Sequence, residues 1–255
     1  MEDPFGAGVG NQTKADGVAD AINRLLQNLV LKCAKAEGVR DYFHIGVFGY
    51  GATVGSAFSG HLAGRELVPI SEIGLKPSKM EDRSQLIPDG AGGIVEKPVK
   101  IPTWFDPVAN GQTPMCHILN MSKKILSNWL STNPDCFPPI VVNISDGEPT
   151  DGDPKNAAED IKQLTSTDGN VLLFNLHLSS STAPPVKFPD SEEVLPDEHA
   201  KLLFRMSSVL PDYMRGLAQQ EGYQVSEASR GFVFNAELVT VIQFLDIGTR
   251  ATNLR

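Results

Sequence analysis

The sequence lacks the features that mark secreted and membrane proteins. Only three of its 255 residues are cysteine, and Cys33, Cys116 and Cys136 form no CxxC pair, so free thiols in a reducing compartment are predicted. No apolar run reaches about 18 residues, which argues against a transmembrane helix. The first 30 residues carry no basic start followed by an apolar core, so no secretory signal peptide is predicted. These absences favour a cytoplasmic protein.

Motifs of common enzyme classes are also absent. The chain has no GxSxG, no P-loop and no paired Cys and His nucleophile. Its five histidines show no metal-type spacing, and His177, inside an apolar run, is predicted to be a core or strand-end residue. The acidic stretch after Asp146 does not fit an EF-hand, because Asp151 stands where glycine is required. Asp151 and Asp153 are instead predicted to cap a helix beginning near Pro154, and the protein is predicted not to be an enzyme.

The net charge of −9 is unevenly distributed along the chain. Residues 151–200 contain ten Asp and Glu against three Lys, a net charge of −7 in this stretch. An acidic surface repels phosphate backbones, so nucleic acid is not an expected partner. Attraction of cations is one consequence of the charge, and a solvated acidic surface without a binding role is the alternative.

Alternating helix-type and strand-type segments predict an α/β fold. Apolar residues at spacings of three and four predict helices at 14–37 (with Thr13 as N-cap), 114–131, 154–166, 197–209, 211–221 and 237–250. Short apolar runs predict strands at 42–51, 138–145, 171–179 and 231–236, with the extended segments ELVPISEI and GGIVEKPVKIPTWF between the first two. We predict a single domain over residues 1–255, a doubly wound, mostly parallel sheet with helices on both faces.

Two residues are candidate ligands for a cation. The apolar run PPIVVNIS ends at Asp146, and in sheets of the predicted kind ligands bind at the carboxyl ends of strands. Mg²⁺ prefers oxygen ligands and keeps several waters, so one carboxylate with hydroxyl groups suits it. The second candidate is Thr113, just before the predicted helix start at Pro114, and its alternative role is that of helix N-cap.

The motif ISDGEPTD at 144–151 gives these two residues a family context. Together with GQTPM at 111–115 and the helix KADGVADAINRLLQNLV at 14–30, it resembles a von Willebrand factor A (VWA) domain, and more narrowly the bacterial intracellular branch of that family. The resemblance covers nearly the whole chain. It implies a metal-ion-dependent adhesion site with Thr113 and Asp146 as ligands of Mg²⁺ or Mn²⁺. A carboxylate of a partner protein would complete the coordination; neither nucleic acid nor a membrane is expected as partner.

One part of the family pattern is missing. The first metal loop of the family, Asp-x-Ser-x-Ser, follows its first strand, whereas this chain begins with MEDPFGAGVG where that loop should just have ended. We therefore predict that the first central strand and the first metal loop lie upstream of Met1, with a mis-assigned or truncated start. Loss of such a strand costs roughly 10 kcal/mol of apolar burial, comparable with the stability of a whole domain. The alternative is a true variant that has lost metal binding.

The sequence thus predicts a cytoplasmic protein-interaction module whose cation binding is weak or absent without the first loop. The resemblance to the VWA family suggests a role as a signalling or stress-response scaffold. Two alternatives stay open. One is a metal-free scaffold that keeps only the fold, and the other is a metal-dependent hydrolase using Asp146, for which the sequence offers no general base.

Overall fold

Most of the described strands are short, and most of them pair in twos. The computed structural model describes residues 1–2, 13–88, 93–179 and 183–235, so the helix predicted at 237–250 lies outside the described residues. The chain divides into two compact units, and the boundary between them crosses the first helix. The hairpin unit comprises Ile22–Gly49 and Gly55–Pro107, and the sheet unit comprises Met1–Ala21, Tyr50–Val54 and Val108–Arg255, as far as these are described.

The first part of the chain contains mostly short elements. They are α1 (Lys14–Cys33), β1 (Ala34–Lys35), β2 (Gly38–Val39), β3 (His44–Ile45), β4 (Phe48–Tyr50), β5 (Val54–Ser56), a 3-10 turn (Gly60–Leu62), β6 (Val68–Pro69), α2 (Ile70–Leu75), β7 (Lys79–Pro88) and β8 (Ile94–Thr103). The pairs β1–β2, β3–β6 and β7–β8 are antiparallel, and β4 pairs with β5. In the hairpin unit the buried Trp104 donates its indole N–H to the carbonyl of Ile73 at 2.7 Å.

Helix α1 begins as the sequence predicts and ends earlier. The Asp16 amide donates to Thr13 Oγ1 at 3.2 Å, and the Thr13 amide donates to the Asp16 carboxylate at 2.9 Å. This reciprocal pair satisfies backbone donors at the helix start, so the predicted N-cap is confirmed. The helix stops at Cys33 because Gly38, at φ 129°, reverses the chain into the β1–β2 pair, and only glycine adopts that conformation readily.

The sheet unit holds the longer apolar strands. Its elements are α3 (Met115–Thr132), β9 (Ile140–Ser145), α4 (Lys155–Lys162), β10 (Thr165–Ser166), β11 (Gly169–Asn170), β12 (Leu172–His177), β13 (Val186–Lys187), α5 (Glu198–Met206), α6 (Asp212–Gln220) and β14 (Phe232–Phe234). The main sheet has the order β13–β14–β12–β9. Strand β12 runs parallel to β9 and β14, whereas β13 is antiparallel to β14. The helices and strands predicted in this region are present; α3 begins and ends one residue later than predicted, and the others have shorter bounds.

The predicted doubly wound, mostly parallel sheet is wrong. The described residues form one four-stranded mixed sheet and several two-stranded, mostly antiparallel sheets. The segment predicted as one strand at 42–51 divides into β3 and β4, because Gly46 passes so close to Glu66 that a Cβ would lie 2.4 Å from its carbonyl oxygen. Part of ELVPISEI is helical rather than extended, and the segments around GGIVEKPVKIPTWF form the antiparallel β7–β8 hairpin.

A buried polar network joins β9 to β12 below the candidate site. Asn143 and Asn175 are register partners, and Asn143 Nδ2 donates to Asn175 Oδ1 at 2.9 Å. Asn175 Nδ2 donates to Ser207 Oγ at 2.9 Å and to the carbonyl of Leu203 at 3.2 Å. Tyr50 donates its hydroxyl to Asn143 Oδ1 at 2.6 Å. Because buried amides need these partners, the network opposes a slip of β9 against β12.

Two findings bear on the environment of the chain. Cys33, Cys116 and Cys136 are all free thiols. Among the helices of the described residues, none combines the length and hydrophobicity required to cross a bilayer.

Candidate functional site

Asp146 is the first residue after β9, as the sequence predicts. The turn that carries it is held at Ser145, whose carbonyl accepts the Leu178 amide at 2.8 Å and whose Oγ donates to the carbonyl of Gly147 at 2.9 Å. The Asp146 side chain is 17% exposed, so its carboxylate reaches the surface of the sheet unit. It forms an ion pair with the α-ammonium of Met1.

The Thr113 loop and the Asp146 loop lie against each other. The Thr150 amide donates to the Thr113 carbonyl at 3.0 Å, and the Thr113 amide donates to Thr150 Oγ1 at 3.1 Å. A Cβ built on Gly147 would lie 3.1 Å from Thr113 Oγ1. The structure thus brings the Thr113 hydroxyl next to the residue that follows Asp146, so the two predicted site residues belong to one surface.

The start of helix α3 is capped by the acidic loop rather than by Thr113. Asp151 accepts hydrogen bonds from the backbone amides of Cys116 at 3.0 Å and His117 at 2.8 Å. The residue at the N-cap position of α3 makes no side-chain hydrogen bond to the helix. The N-cap alternative for Thr113 is therefore wrong, and so is the prediction that Asp151 caps the helix near Pro154. Asp153 does cap that helix, through the Lys155 amide at 3.0 Å. Sequence reasoning missed Thr150 and Asp151 because their partners are more than thirty residues away in the chain.

The electrostatics of Asp151 agree with this capping role. Burial raises the pKa of its carboxyl, but the Cys116 and His117 amides outweigh that effect and hold the pKa below its ordinary value. The carboxylate is therefore charged at neutral pH, where it also interacts favourably with the positive end of the α3 dipole. Asp151 is committed to α3 and is not a free ligand for a cation.

Two buried histidines lie on the inner side of the Asp146 turn. His177 and His199 are 5% and 8% exposed, and their rings meet edge to face with centroids 4.7 Å apart. His177 Nδ1 lies 3.4 Å from the Ser145 carbonyl oxygen. Burial, and then the neighbouring His199, lower the pKa of His177 to about 4. Burial also lowers the pKa of His199, whose ring nitrogens make no hydrogen bond with the described residues.

The residues present fit part of a magnesium site. Within residues 1–2, 13–88, 93–179 and 183–235, no three side chains of His, Cys, Asp and Glu come together to hold a metal ion. Hydroxyl oxygens can also be ligands, and Mg²⁺ is often held by one or two carboxylates with waters. The Thr113 hydroxyl and the Asp146 carboxylate offer two oxygen ligands of suitable chemistry, so the rest of the coordination has to come from water or another molecule.

A small substitution tests the contact between the two loops. In the Gly147→Ala variant the new Cβ meets Thr113 Oγ1 at 3.1 Å, and the hydroxyl has to move by a few tenths of an ångström. We expect the free energy of unfolding to change by less than about 1 kcal/mol while the affinity for Mn²⁺ falls. Gly55→Ala is the matched control, because a Cβ there meets nothing within 4 Å. Equal Mn²⁺ affinities of the two variants would contradict the close approach of Thr113 to the site.

Comparison with known proteins gives no match to a family model, a curated protein or a solved structure. The resemblance to the VWA family therefore remains a proposal based on the motifs around Thr113 and Asp146.

Proposed function

We propose that this chain is a protein-interaction module that uses a divalent cation, Mg²⁺ or Mn²⁺, at Thr113 and Asp146. The observation that carries the proposal is the packing of the Gly147 backbone against Thr113 Oγ1, which puts a hydroxyl beside the Asp146 turn. The Asp146 side chain is 17% exposed, so its carboxylate is accessible to a cation and to a partner's ligand.

Two protein ligands leave most of an octahedral cation to be satisfied by other groups. A carboxylate is the ligand chemistry expected of a protein partner, because it neutralises the cation and supplies a hard oxygen. We therefore propose an Asp or Glu side chain of a partner protein as the completing ligand, and binding rather than catalysis as the activity. The resemblance to the VWA family supports this proposal, as well as a role in intracellular signalling or stress response. A cytoplasmic location is supported by the three free cysteines.

Titration with Mn²⁺ tests the proposal. We expect weak binding to the chain, in the millimolar range or weaker, because two ligands are few for a hard cation. Asp146→Asn is expected to lower the affinity by about tenfold or more, since the charged oxygen is the stronger ligand. Thr113→Val, which keeps the side-chain shape and removes the hydroxyl, should lower it by a smaller factor. Binding can be followed by the relaxation of water protons, which responds to bound Mn²⁺ at low affinity.

Asp153, a carboxylate of the same acidic loop, provides the matched control. Asp153→Asn removes one charge of the same loop but leaves Thr113 and Asp146 intact, although it weakens the cap of α4. If Asp153→Asn and Asp146→Asn reduce the affinity equally, the cation is bound by general charge and the proposal is wrong. If the chain alone hydrolyses a substrate and Asp146→Asn abolishes that activity, the result would favour the metal-dependent hydrolase alternative instead.

A further inference from the structure

The turn at Ser145–Gly147 has a histidine next to the backbone on each side of Asp146. His177 Nδ1 faces the Ser145 carbonyl at 3.4 Å, and the backbone of Gly147 is a neighbour of His199. The contact of His177 with a carbonyl oxygen requires the tautomer that carries its proton on Nδ1. The two rings pack edge to face, so each limits the position of the other.

Both histidines sit on elements that also have fixed contacts outside the turn. His177 ends β12, is the register partner of Ser145, and has its carbonyl bonded to the Asn235 amide at 2.8 Å. His199 lies in the first turn of α5, which Asp197 caps by accepting the Ala200 amide at 2.7 Å. The pair therefore connects the sheet and α5 to the turn that presents Asp146.

We propose that His177 and His199 are positioning residues for Asp146, holding the Ser145–Gly147 turn so that the carboxylate faces the Thr113 loop. This inference rests on the proposed cation site. Simple packing does not require an imidazole at position 199, because a buried ring whose nitrogens make no hydrogen bond with the described residues is less favourable than an apolar side chain of similar size. The charged groups near the pair are Lys14 from α1, Glu148 from the turn and Asp197 from α5.

The decisive variants differ in one hydrogen-bond donor. His177→Asn keeps an N–H close to the position of Nδ1, whereas His177→Leu has similar volume and no donor. We expect His177→Leu to lower Mn²⁺ affinity by about tenfold, the effect of removing a group that orients a metal ligand, and His177→Asn to restore most of it. His61→Asn, at an exposed position in the hairpin unit, should leave the affinity unchanged. Equal affinities of the Leu and Asn variants would overturn the inference.

A measurement on the unaltered chain covers the case in which His177→Leu does not fold. During a Mg²⁺ titration, the imidazole ¹⁵N resonances of His177 and His199 should shift with the same midpoint as the Gly147 amide, while those of His61 stay in place. A shift of the Gly147 amide resonance without a shift of the histidine resonances would show that the cation site exists and that the histidine pair does not position it. If Asp146→Asn leaves cation binding unchanged, the proposed function fails, and the positioning role fails with it.

Discussion

Replacing Asn175 with leucine is expected to lower the free energy of unfolding by about 3 kcal/mol, although leucine has the same branched side-chain shape. Asn175 is fully buried, accepts from Asn143 and donates to Ser207. Leucine removes these two bonds and the one to the Leu203 carbonyl, and it leaves the buried Asn143 amide with only Met115 Sδ, at 3.8 Å, as a weak acceptor. Urea denaturation of the variant and of the unaltered chain measures the difference.

A double-mutant cycle separates the loss of the bond from the loss of packing. With both Asn143 and Asn175 replaced by leucine, no amide of the pair remains unsatisfied, so the double variant should be destabilised by less than the sum of the single variants. The Tyr50 hydroxyl then keeps the Ile144 carbonyl, 3.1 Å away, as acceptor. A loss below about 1 kcal/mol in Asn175→Leu would show that the network does not stabilise the sheet that positions Asp146.

Acidification is expected to destabilise the chain well before its carboxylates titrate. The pKa of His177 falls from 6.5 to about 4 on folding because of burial, so between these pH values the unfolded chain takes up a proton that the folded chain does not. The stabilising effect of the neutral histidine is complete above pH 6.5 and is lost as the pH falls, about 3 kcal/mol in total. About 2 kcal/mol of that loss should occur between roughly pH 7.5 and 5.

The His177→Asn variant isolates this effect. It cannot titrate in this range, so its free energy of unfolding should depend less on pH, with the remaining slope coming from His199 and other groups. His61→Asn, at an exposed position in the hairpin unit, is the control for the loss of a histidine elsewhere in the chain. Urea denaturation at closely spaced pH values gives the slopes. A His177→Asn variant with the pH dependence of the unaltered chain would contradict the buried, neutral state of His177.

The local pattern of apolar residues in the sequence predicts those parts of the fold that are stabilised mainly by burial of apolar side chains. The strands ending at Ser145 and His177 are nearly continuous apolar runs, and both lie in the four-stranded sheet. The segment at 42–51 is also rich in apolar residues, but the close approach of Gly46 to Glu66 divides it. That approach depends on a residue twenty positions away, which a local pattern does not contain. The prediction of a doubly wound sheet failed because it counted this segment as a further parallel strand.

In the candidate site, too, local pattern predicts some features, and others depend on residues far apart in the chain. Asp146 could be located because it ends an apolar strand, and Thr113 because it precedes a proline at a helix start. The bonds from Asp151 to the Cys116 and His117 amides depend on how two loops fold together, and a helix near Pro154 offered a plausible local partner instead. His177 was predicted as a core or strand-end residue, which is confirmed, but its contact with His199 required the placement of α5.

The most direct test of the cation site is the position of bound Mn²⁺, observed through paramagnetic broadening in NMR spectra. If Thr113 and Asp146 hold the cation, the Thr113 methyl and the Gly147 amide should broaden at the lowest Mn²⁺ concentrations, before signals of Asp153 and Asp160. Broadening that begins along residues 151–200 and reaches Thr113 last would show that the acidic surface attracts the cation, and it would contradict the site proposed at Thr113 and Asp146.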